Sequence, residues 1–198
     1  MKKYKIKYKK NELIGSGLDI KLKNTVIISD NDNNVFRKKN YNSGFGFLKN
    51  EGFNKIIKIS KNKLGDISNK TFADLGSGDG RIVIWASKFF NKSIGIELSE
   101  TRHLEAINIK SKLPNNNNIF LYNDDILNYN YSDLDVIYIS SLLFPEHLME
   151  KLSIKILNEV KENTLIFSSR LLKINNFYDE IKINQSWSDN QTLFVYKF

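Results

Sequence analysis

Three glycines stand at alternate positions in the stretch DLGSGDG: Gly76, Gly78 and Gly80. Two carboxylates, Asp74 and Asp79, accompany them. Glycine lets a backbone turn tightly and approach a ligand closely, and a helix that begins after such a turn presents its N-terminus. Carboxylates are unfavourable beside phosphate and favourable beside positive charge. The stretch therefore predicts a cradle for a ligand that carries positive charge and no phosphate.

The flanking segments predict where this cradle lies. TFADL before the glycines and KSIGIEL after them have the pattern of short buried strands, and DGRIVIWASKFF between them has that of a helix. In an open α/β sheet, ligands bind at the carboxyl ends of the strands. Glu97 ends the second strand, where a carboxylate accepts hydrogen bonds from both hydroxyls of a ribose. Dinucleotide sites space their glycines as GxGxxG, whereas S-adenosylmethionine, a sulfonium with an ammonium group, fits the acidic cradle.

The remaining sequence continues the alternation of strands and helices. Further strands are predicted at 118 to 123, 134 to 140 and 164 to 170, with helices after Ser99 and after Pro145. The last two strands, in FYDEIKINQSW and TLFVYKF, are separated only by SDNQ and predict a hairpin. We therefore predict an α/β fold with a Rossmann-like, mostly parallel sheet and an antiparallel C-terminal hairpin.

The first forty residues have a different character. KKYKIKYKK alternates lysine with tyrosine or isoleucine and suits a half-exposed strand, NTVIIS (24 to 29) suits a second one, and DNDNN (30 to 34) suits a turn or mobile loop. We predict an N-terminal β extension over residues 1 to 40 and one domain over residues 41 to 198.

Composition limits the classes of protein that remain. The 198 residues include no cysteine and two histidines, so a disulfide framework and a cysteine zinc site are excluded and no metal is expected. A net charge of +8 suits contact with nucleic acid or a nucleic-acid-bound protein, but a general bias towards lysine and asparagine explains it equally well. Because no apolar run reaches membrane-spanning length, we expect an intracellular protein, cytoplasmic or nuclear, without membrane contact. The oligomeric state is not indicated.

DLGSGDG followed by IGIEL resembles motif I and the acidic motif of the class I S-adenosylmethionine-dependent methyltransferases, and residues 71 to 198 span that fold. The resemblance implies that Asp74 and the glycine loop, with Ser77 and Asp79, hold the methionine part of S-adenosylmethionine. It implies also that Glu97 holds the ribose.

The same resemblance places an acid near the adenine. Asp125 in NDDIL is the preferred residue, with Asp124 as the alternative, and Ile126 is expected to pack on the adenine face. The stretch NDD is equally consistent with a plain turn.

The segment after the fourth strand bears on the methyl acceptor. DVIYISSLLF and LIFSSRLL resemble the disruptor-of-telomeric-silencing-type, non-SET histone-lysine methyltransferases, in which two asparagines stand where this chain has Ser140 and Ser141. DLGSGDGRIVI resembles the lysine methyltransferases of mitochondrial ATP synthase subunits and their prokaryotic relatives. Both resemblances imply a protein substrate with an accessible lysine.

Three residues are candidates for the catalytic end of the site: Ser140, Phe144 and Tyr41. Ser140 suits strand-end capping and Phe144 core packing equally well, and Tyr41, in YNSGFGF, belongs either to a lid over the cofactor or to a linker. Patterns typical of base-amine, catechol and ribose 2′-O methylation are absent from the sequence after the fourth strand. We expect a protein-lysine methyltransferase; an RNA or small-molecule methyltransferase and an inactive cofactor-binding accessory subunit remain alternatives.

Overall fold

The computed structural model of the protein describes residues 28–176, 178–186 and 188–198. Within these residues the chain forms five α-helices and one seven-stranded sheet. The helices are α1 (Asp30–Lys39), α2 (Asn50–Leu64), α3 (Arg81–Ala86), α4 (Glu100–Ser111) and α5 (Glu146–Glu159). The strands are β1 (Thr71–Leu75), β2 (Lys92–Glu97), β3 (Ile119–Asn123), β4 (Val136–Ile139), β5 (Leu165–Ser168), β6 (Tyr178–Ile183) and β7 (Gln191–Lys197). No helix in these ranges is long and apolar enough to cross a membrane.

The sheet has the order β3-β2-β1-β4-β5-β7-β6. The first five strands in this order are parallel, and β7 pairs antiparallel with both β5 and β6. This is the predicted Rossmann-like sheet with a C-terminal hairpin. The chain moves from β1 outwards to β3 and then returns to the other side of β1 as β4. The strand order therefore reverses between β1 and β4, and the carboxyl ends of these two strands border a crevice of the kind in which ligands bind.

Apolar side chains bury both faces of this sheet. On one face Phe53 and Ile56 of α2 pack with Phe72 of β1, and the rings of Phe53 and Phe72 meet edge to face. On the other face Leu148 and Leu152 of α5 are buried against β1, β2, β4 and β5, as the spacing of the apolar residues of α5 predicts. Helices on both faces hold the strands rigidly and so fix the positions of their carboxyl ends.

The predicted β extension is only partly within the described residues. Residues 1–27, which carry KKYKIKYKK and most of NTVIIS, lie outside them. The turn or loop predicted for residues 30 to 34 is wrong, because these residues form the first half of α1. The Ser29 side chain accepts a hydrogen bond from the Asp32 N–H, and acidic residues in the first turn and basic residues in the last turn match the helix dipole. The division of the chain at residue 40 stays a prediction.

Helix α1 is joined to the rest of the fold through the start of α4. The Asp32 carboxylate accepts hydrogen bonds from the Ser99 hydroxyl at 2.8 Å and from the Glu100 and Thr101 N–H groups at 2.9 and 3.2 Å. Ser99 is the N-cap of α4, as predicted, and accepts from the Arg102 N–H. Asp32 thus completes the capping of a helix far along the chain, and α1 lies beside the carboxyl end of β2.

Candidate functional site

A cavity of about 420 Å³ opens at the carboxyl ends of β1, β2 and β4. Its walls come from the glycine loop after β1, from residues 41–48, which we call the strap, and from residues 140–145, which we call the acceptor segment. Gly80 does not line the cavity, because it lies at the start of α3 and faces Ala106. The other predicted site residues all line it: Tyr41, Asp74, Gly76, Ser77, Gly78, Asp79, Glu97, Asp125, Ile126, Ser140 and Phe144.

The glycine loop is held against β2 by main-chain hydrogen bonds. The N–H groups of Gly76 and Ser77 both donate to the Ile96 carbonyl, at 2.9 and 3.0 Å. Gly78 has φ +57°, and a Cβ at this position would lie 2.8 Å from Cε2 of Phe45 in the strap. Glycine is therefore required at residue 78 both by the backbone conformation and by the close approach of an aromatic ring.

Glu97 joins the loop to the end of β2. One of its carboxylate oxygens accepts from the Gly78 N–H at 2.8 Å and the other from the Ser99 N–H at 2.9 Å. Burial raises the pKa of Glu97, and the positive charge of Arg102 and the two N–H groups oppose that rise. Each carboxylate oxygen has a further lone pair, so the predicted contact with two ribose hydroxyls is compatible with this geometry.

Asp74 is a buried acid with one carboxyl oxygen that has no hydrogen-bond partner. Its Oδ1 atom is buried without a hydrogen-bond partner, although the residue lines the cavity. Burial, together with the negative charges of Glu97 and Asp79, raises the pKa of Asp74 well above its usual range. A ligand ammonium group in the cavity would supply the missing partner and favour the charged carboxylate. The residue therefore fits the ammonium of the methionine part of S-adenosylmethionine.

Asp79 differs from Asp74 because it is paired within the protein. It forms a buried ion pair with Arg81, with a 2.5 Å contact to Nη2 and contacts of 2.9 and 3.1 Å to Nε. The Arg81 guanidinium in turn lies 3.8 Å from the centroid of the Phe47 ring in the strap. Asp79 lines the cavity, but its carboxylate orients Arg81, a residue that the sequence analysis did not single out.

The predicted adenine residues form another part of the cavity wall. The Asp125 carboxylate accepts from the Leu127 N–H at 2.9 Å and from Nζ of Lys39 at 2.8 Å. Ile126 is buried beside it. Asp124 does not line the cavity, and its side chain accepts from the Asp125 N–H within the turn. The geometry therefore favours Asp125 over Asp124 as the acid that faces a ligand. Asn123 ends β3, and the turn that follows NDD is closed by a hydrogen bond from the Asn128 N–H to the Asp125 carbonyl.

The strap crosses the mouth of the cavity and is held along its length. Near its start the Arg102 guanidinium donates to the Ser43 carbonyl and lies 5.2 Å from the centroid of the Phe45 ring. Near its end the Phe47 N–H donates to the Ser186 hydroxyl at 3.1 Å, and the Phe47 carbonyl accepts from the Ser186 N–H at 2.9 Å. The segment around Tyr41 thus forms part of the cavity wall. A role as a lid over the cofactor stays a prediction.

The acceptor segment presents Phe144 to the glycine loop. A Cβ at Gly76 would lie 3.4 Å from Cζ of Phe144. On the outer side, Leu143 lies so close to Gly44 that a Cβ there would be 2.1 Å from its Cδ1 atom. Ser140 precedes a single turn of 3-10 helix at Ser141–Leu143 and lines the cavity. The strap and the acceptor segment therefore interlock over the loop.

The end of β5 and the residues after it hold the acceptor segment in place. The Ser141 and Ser168 hydroxyls are 3.0 Å apart, and the Arg170 N–H donates to the Ser141 hydroxyl at 3.0 Å. The Arg170 guanidinium donates to the Phe144 carbonyl and to the Glu146 carboxylate. Arg170 thereby fixes both ends of the turn that carries Phe144. The SSR stretch belongs to a pattern of lysine methyltransferases in the sequence, but its spacing does not reveal this role.

The sequence of the chain matches a known protein family. The family model of the ANTKMT methyltransferase domain matches residues 74–172, which are half of the chain. The chain belongs to this family. It is therefore a class I S-adenosylmethionine-dependent methyltransferase, and the expected cofactor is confirmed. No curated protein matches the sequence.

Solved structures share the fold of this methyltransferase. An RNA methyltransferase from Salinibacter ruber in complex with S-adenosyl-L-homocysteine has a TM-score of 0.58 at 16% identity, over 72% of this chain and 90% of that one. A methyltransferase from Geobacter sulfurreducens has a TM-score of 0.58 at 12% identity, over 85% and 88% of the two chains. A putative methylase from Haemophilus influenzae has a TM-score of 0.57 at 16% identity, over 73% and 86%. At these identities the likeness shows the fold alone.

The family match covers part of the cavity of the methyltransferase. It includes the glycine loop, Glu97, Asp125, the acceptor segment and Arg170. The strap and the C-terminal hairpin lie outside the match. The strap lines the cavity, and Ser186, between the two strands of the hairpin, anchors the strap at Phe47. The roles of the individual residues in cofactor binding and catalysis stay predictions.

Proposed function

We propose that this methyltransferase N-methylates lysine side chains of a protein substrate. The observation that carries the proposal is the apolar and aromatic part of the cavity wall. It is formed by side chains of the strap and of the acceptor segment: Tyr41, Phe45, Leu142, Leu143, Phe144 and Pro145. The charged residues of the wall all belong to β1, the glycine loop and the elements that follow them up to the turn after β3: Asp74, Asp79, Arg81, Glu97, Arg102 and Asp125.

An apolar end of this kind suits an amine acceptor. A free lysine has a pKa near 10.4, so holding its amine neutral at pH 7 costs about 4 to 5 kcal/mol. Burial in an apolar channel disfavours the charged form and lowers the pKa of the amine. The aromatic walls supplied by Tyr41 and Phe144 would contribute in this way and would also orient the side chain.

The transfer requires little of the protein beyond binding and orientation. S-adenosylmethionine supplies an electrophilic methyl group on its sulfonium. A neutral lysine nitrogen would form the new bond to this carbon while the bond to sulfur breaks and the electron pair stays on sulfur. The methylammonium product would lose its proton to water after it leaves the cavity. Phe144, which approaches Gly76, and the strap above it would keep water away from the line of approach.

The cations of the cavity wall give little support for a polyanionic acceptor in the cavity itself. Arg81 is paired with Asp79, and Arg102 donates to the Ser43 carbonyl and lies close to the Phe45 ring. Both guanidinium groups are engaged with protein groups at the base of the strap. A phosphate backbone in this position would have to compete with those contacts.

The proposal is tested by labelling. The purified protein is incubated with methyl-labelled S-adenosylmethionine and cell extract, core histones or total RNA, and the product is treated with protease or with ribonuclease. A parallel extract is first acetylated so that its lysines are blocked. We expect label that protease releases, that acetylation abolishes and that amino-acid analysis identifies as methyl-lysine.

An Asp74→Asn variant serves as the control in which the proposed contact with the cofactor ammonium is removed. Asp124→Asn is the matched substitution of an acid that does not line the cavity. We expect the first to lose labelling and the second to retain it. Ribonuclease-sensitive label would instead favour an RNA methyltransferase. Cofactor binding without label in any acceptor pool would favour an accessory subunit.

A further inference from the structure

Two polar side chains lie next to each other in the sheet and face the cavity without partners. Asp74 of β1 is paired in register with Tyr138 of β4. Both residues line the cavity and both are buried, with 3% and 1% of their surface exposed. Neither the Asp74 Oδ1 atom nor the Tyr138 hydroxyl has a hydrogen-bond partner. Such atoms are rare in buried positions, because an unsatisfied polar group costs free energy.

The surroundings of the Tyr138 hydroxyl keep it a donor. Burial raises the pKa of Tyr138, and the negative charge of Asp74 raises it further, so the phenol stays protonated at neutral pH. The side chains of Ser140 and Ser169 lie near the hydroxyl without forming a hydrogen bond of normal geometry. The hydroxyl is therefore positioned to donate to a group in the cavity.

The chemistry of the cofactor supplies one such group. The amino-acid end of S-adenosylmethionine carries an ammonium and a carboxylate on the same carbon. An acid and a protonated phenol, side by side, complement this pair, because the first accepts from an ammonium and the second donates to a carboxylate. We propose that the Tyr138 hydroxyl donates a hydrogen bond to the carboxylate of the bound cofactor, beside Asp74, which accepts from its ammonium group.

This inference concerns the cofactor alone and does not depend on the identity of the acceptor. It gives β4 a role in cofactor binding through a residue two positions before Ser140. It also explains why residue 138 is a tyrosine. A phenylalanine at this fully buried strand position would leave no polar atom unsatisfied, so the hydroxyl needs a role that offsets its burial.

Calorimetric titration without any acceptor tests the proposal. The ligands are S-adenosylhomocysteine; S-adenosyl-3-thiopropylamine, which lacks only the carboxylate; and 5′-methylthioadenosine, which lacks the amino acid. In Tyr138→Phe we expect the affinity for S-adenosylhomocysteine to fall about tenfold, as for a hydrogen bond to a charged group. We expect the affinities for the other two ligands to change less than twofold.

An Asp74→Asn variant provides the complementary pattern. Because both S-adenosylhomocysteine and the thiopropylamine retain the amine, we expect this variant to bind both more weakly and methylthioadenosine unchanged. The thermal midpoint of Tyr138→Phe without ligand should equal or exceed that of the wild type, which shows that the fold is intact. Equal weakening of all three ligands by Tyr138→Phe, or unchanged binding of S-adenosylhomocysteine, would overturn the proposal.

Discussion

The two ends of the cavity are built in different ways. At the glycine loop, backbone groups and buried acids form the wall, and the contacts join β1 to the neighbouring β2, as in the hydrogen bond from the Gly78 N–H to Glu97. At the acceptor segment, apolar side chains form the wall, and Arg170 holds the segment through the Phe144 carbonyl. The first end is polar and rigid, whereas the second is apolar and depends on loops.

The family match, over residues 74–172, includes the glycine loop and the acceptor segment and leaves out the strap. The glycine loop needs particular residues at fixed spacing, since glycines with positive φ cannot be exchanged without strain. The strap meets this loop through the Phe45 ring, which approaches Gly78. The strap is thus a part of the cavity wall that the family pattern does not describe.

The largest effect on stability is expected at the polar end, from Asp79→Ala. This substitution leaves the buried Arg81 charge without its carboxylate, and breaking a buried ion pair typically costs about 3 to 5 kcal/mol. Urea denaturation of the protein without cofactor measures the loss. Asp79→Asn, which keeps a hydrogen-bond acceptor, should lose less, and equal stability of Asp79→Ala and wild type would contradict the role of the pair.

Asp74→Asn should weaken ligand binding and, at the same time, raise the stability of the protein without ligand. We expect the affinity for S-adenosylhomocysteine to fall about 100-fold, because a buried charged hydrogen bond is lost. The protein without ligand should become more stable, because an acid without a buried partner is removed. Calorimetric titration and thermal denaturation on the same samples measure both effects.

The stability gain of Asp74→Asn should depend on pH. The pKa of Asp74 is raised in the folded protein from its ordinary value near 3.8, so the folded state binds the proton to a higher pH than the unfolded state does. The wild-type protein therefore loses stability as pH rises from this value to the raised pKa. The gain should be small below pH 4 and should grow above it. A constant difference across pH would show that Asp74 does not titrate as described.

Gly78→Ala tests the contact between the glycine loop and the strap. The added Cβ meets Phe45 of the strap, so we expect about a tenfold loss of cofactor affinity together with a loss of stability of about 1 kcal/mol. Gly65→Ala is a control, because Gly65 also has positive φ but no atom lies within 4 Å of its Cβ position. This variant should lose stability and retain the affinity.

Arg170→Lys tests the apolar end. Lysine keeps the charge but cannot bind the Phe144 carbonyl and Glu146 together in the forked geometry of arginine. If the acceptor is a protein lysine, as proposed, we expect kcat/KM for this acceptor to fall about fivefold while the affinity for the cofactor stays unchanged. Lys173→Met, which removes a neighbouring exposed partner of Glu146, should change either value less than twofold. A fall in cofactor affinity alone would show that the two ends are not separable.

Lys39→Met should have the smallest effect. Lys39 reaches Asp125 at 2.8 Å, but its side chain is 40% exposed, and such ion pairs typically contribute less than about 1 kcal/mol. We expect a similarly small loss in unfolding free energy at low salt that disappears at high salt, measured by denaturation at both salt concentrations. A loss that persists at high salt would point to packing against Tyr41 instead.

The sequence predicts the parts of the site that depend on neighbours in the chain. The strand, glycines and helix from Phe72 to Ala86 follow from local pattern, and so does the acid at Glu97. Lys39 contacts Asp125, which lies 86 positions later in the sequence, and Phe47 contacts Ser186, which lies 139 positions later. No periodicity or spacing reveals such pairs, since they arise only when the sheet places distant segments together.

Two helices show a different kind of failure. The aspartates and asparagines before Phe36 predict a turn by composition, yet Ser29 caps a helix there and Asn40 ends it in the left-handed conformation. Helix α2 was not predicted at all, although Phe53, Ile56 and Ile57 stand at helical spacing and are buried. In α1 the capping residues outweigh the turn propensity of the aspartates and asparagines. In α2 the many lysines obscure the helical spacing of the apolar residues.

The pairing of the strap with Ser186 also has a consequence for how the protein is made. The glycine loop leaves the ribosome more than a hundred residues before Ser186 does. The strap gains this anchor only when the segment between β6 and β7 has emerged. A nascent chain that stalls before residue 184 therefore carries the glycine loop without the anchored strap.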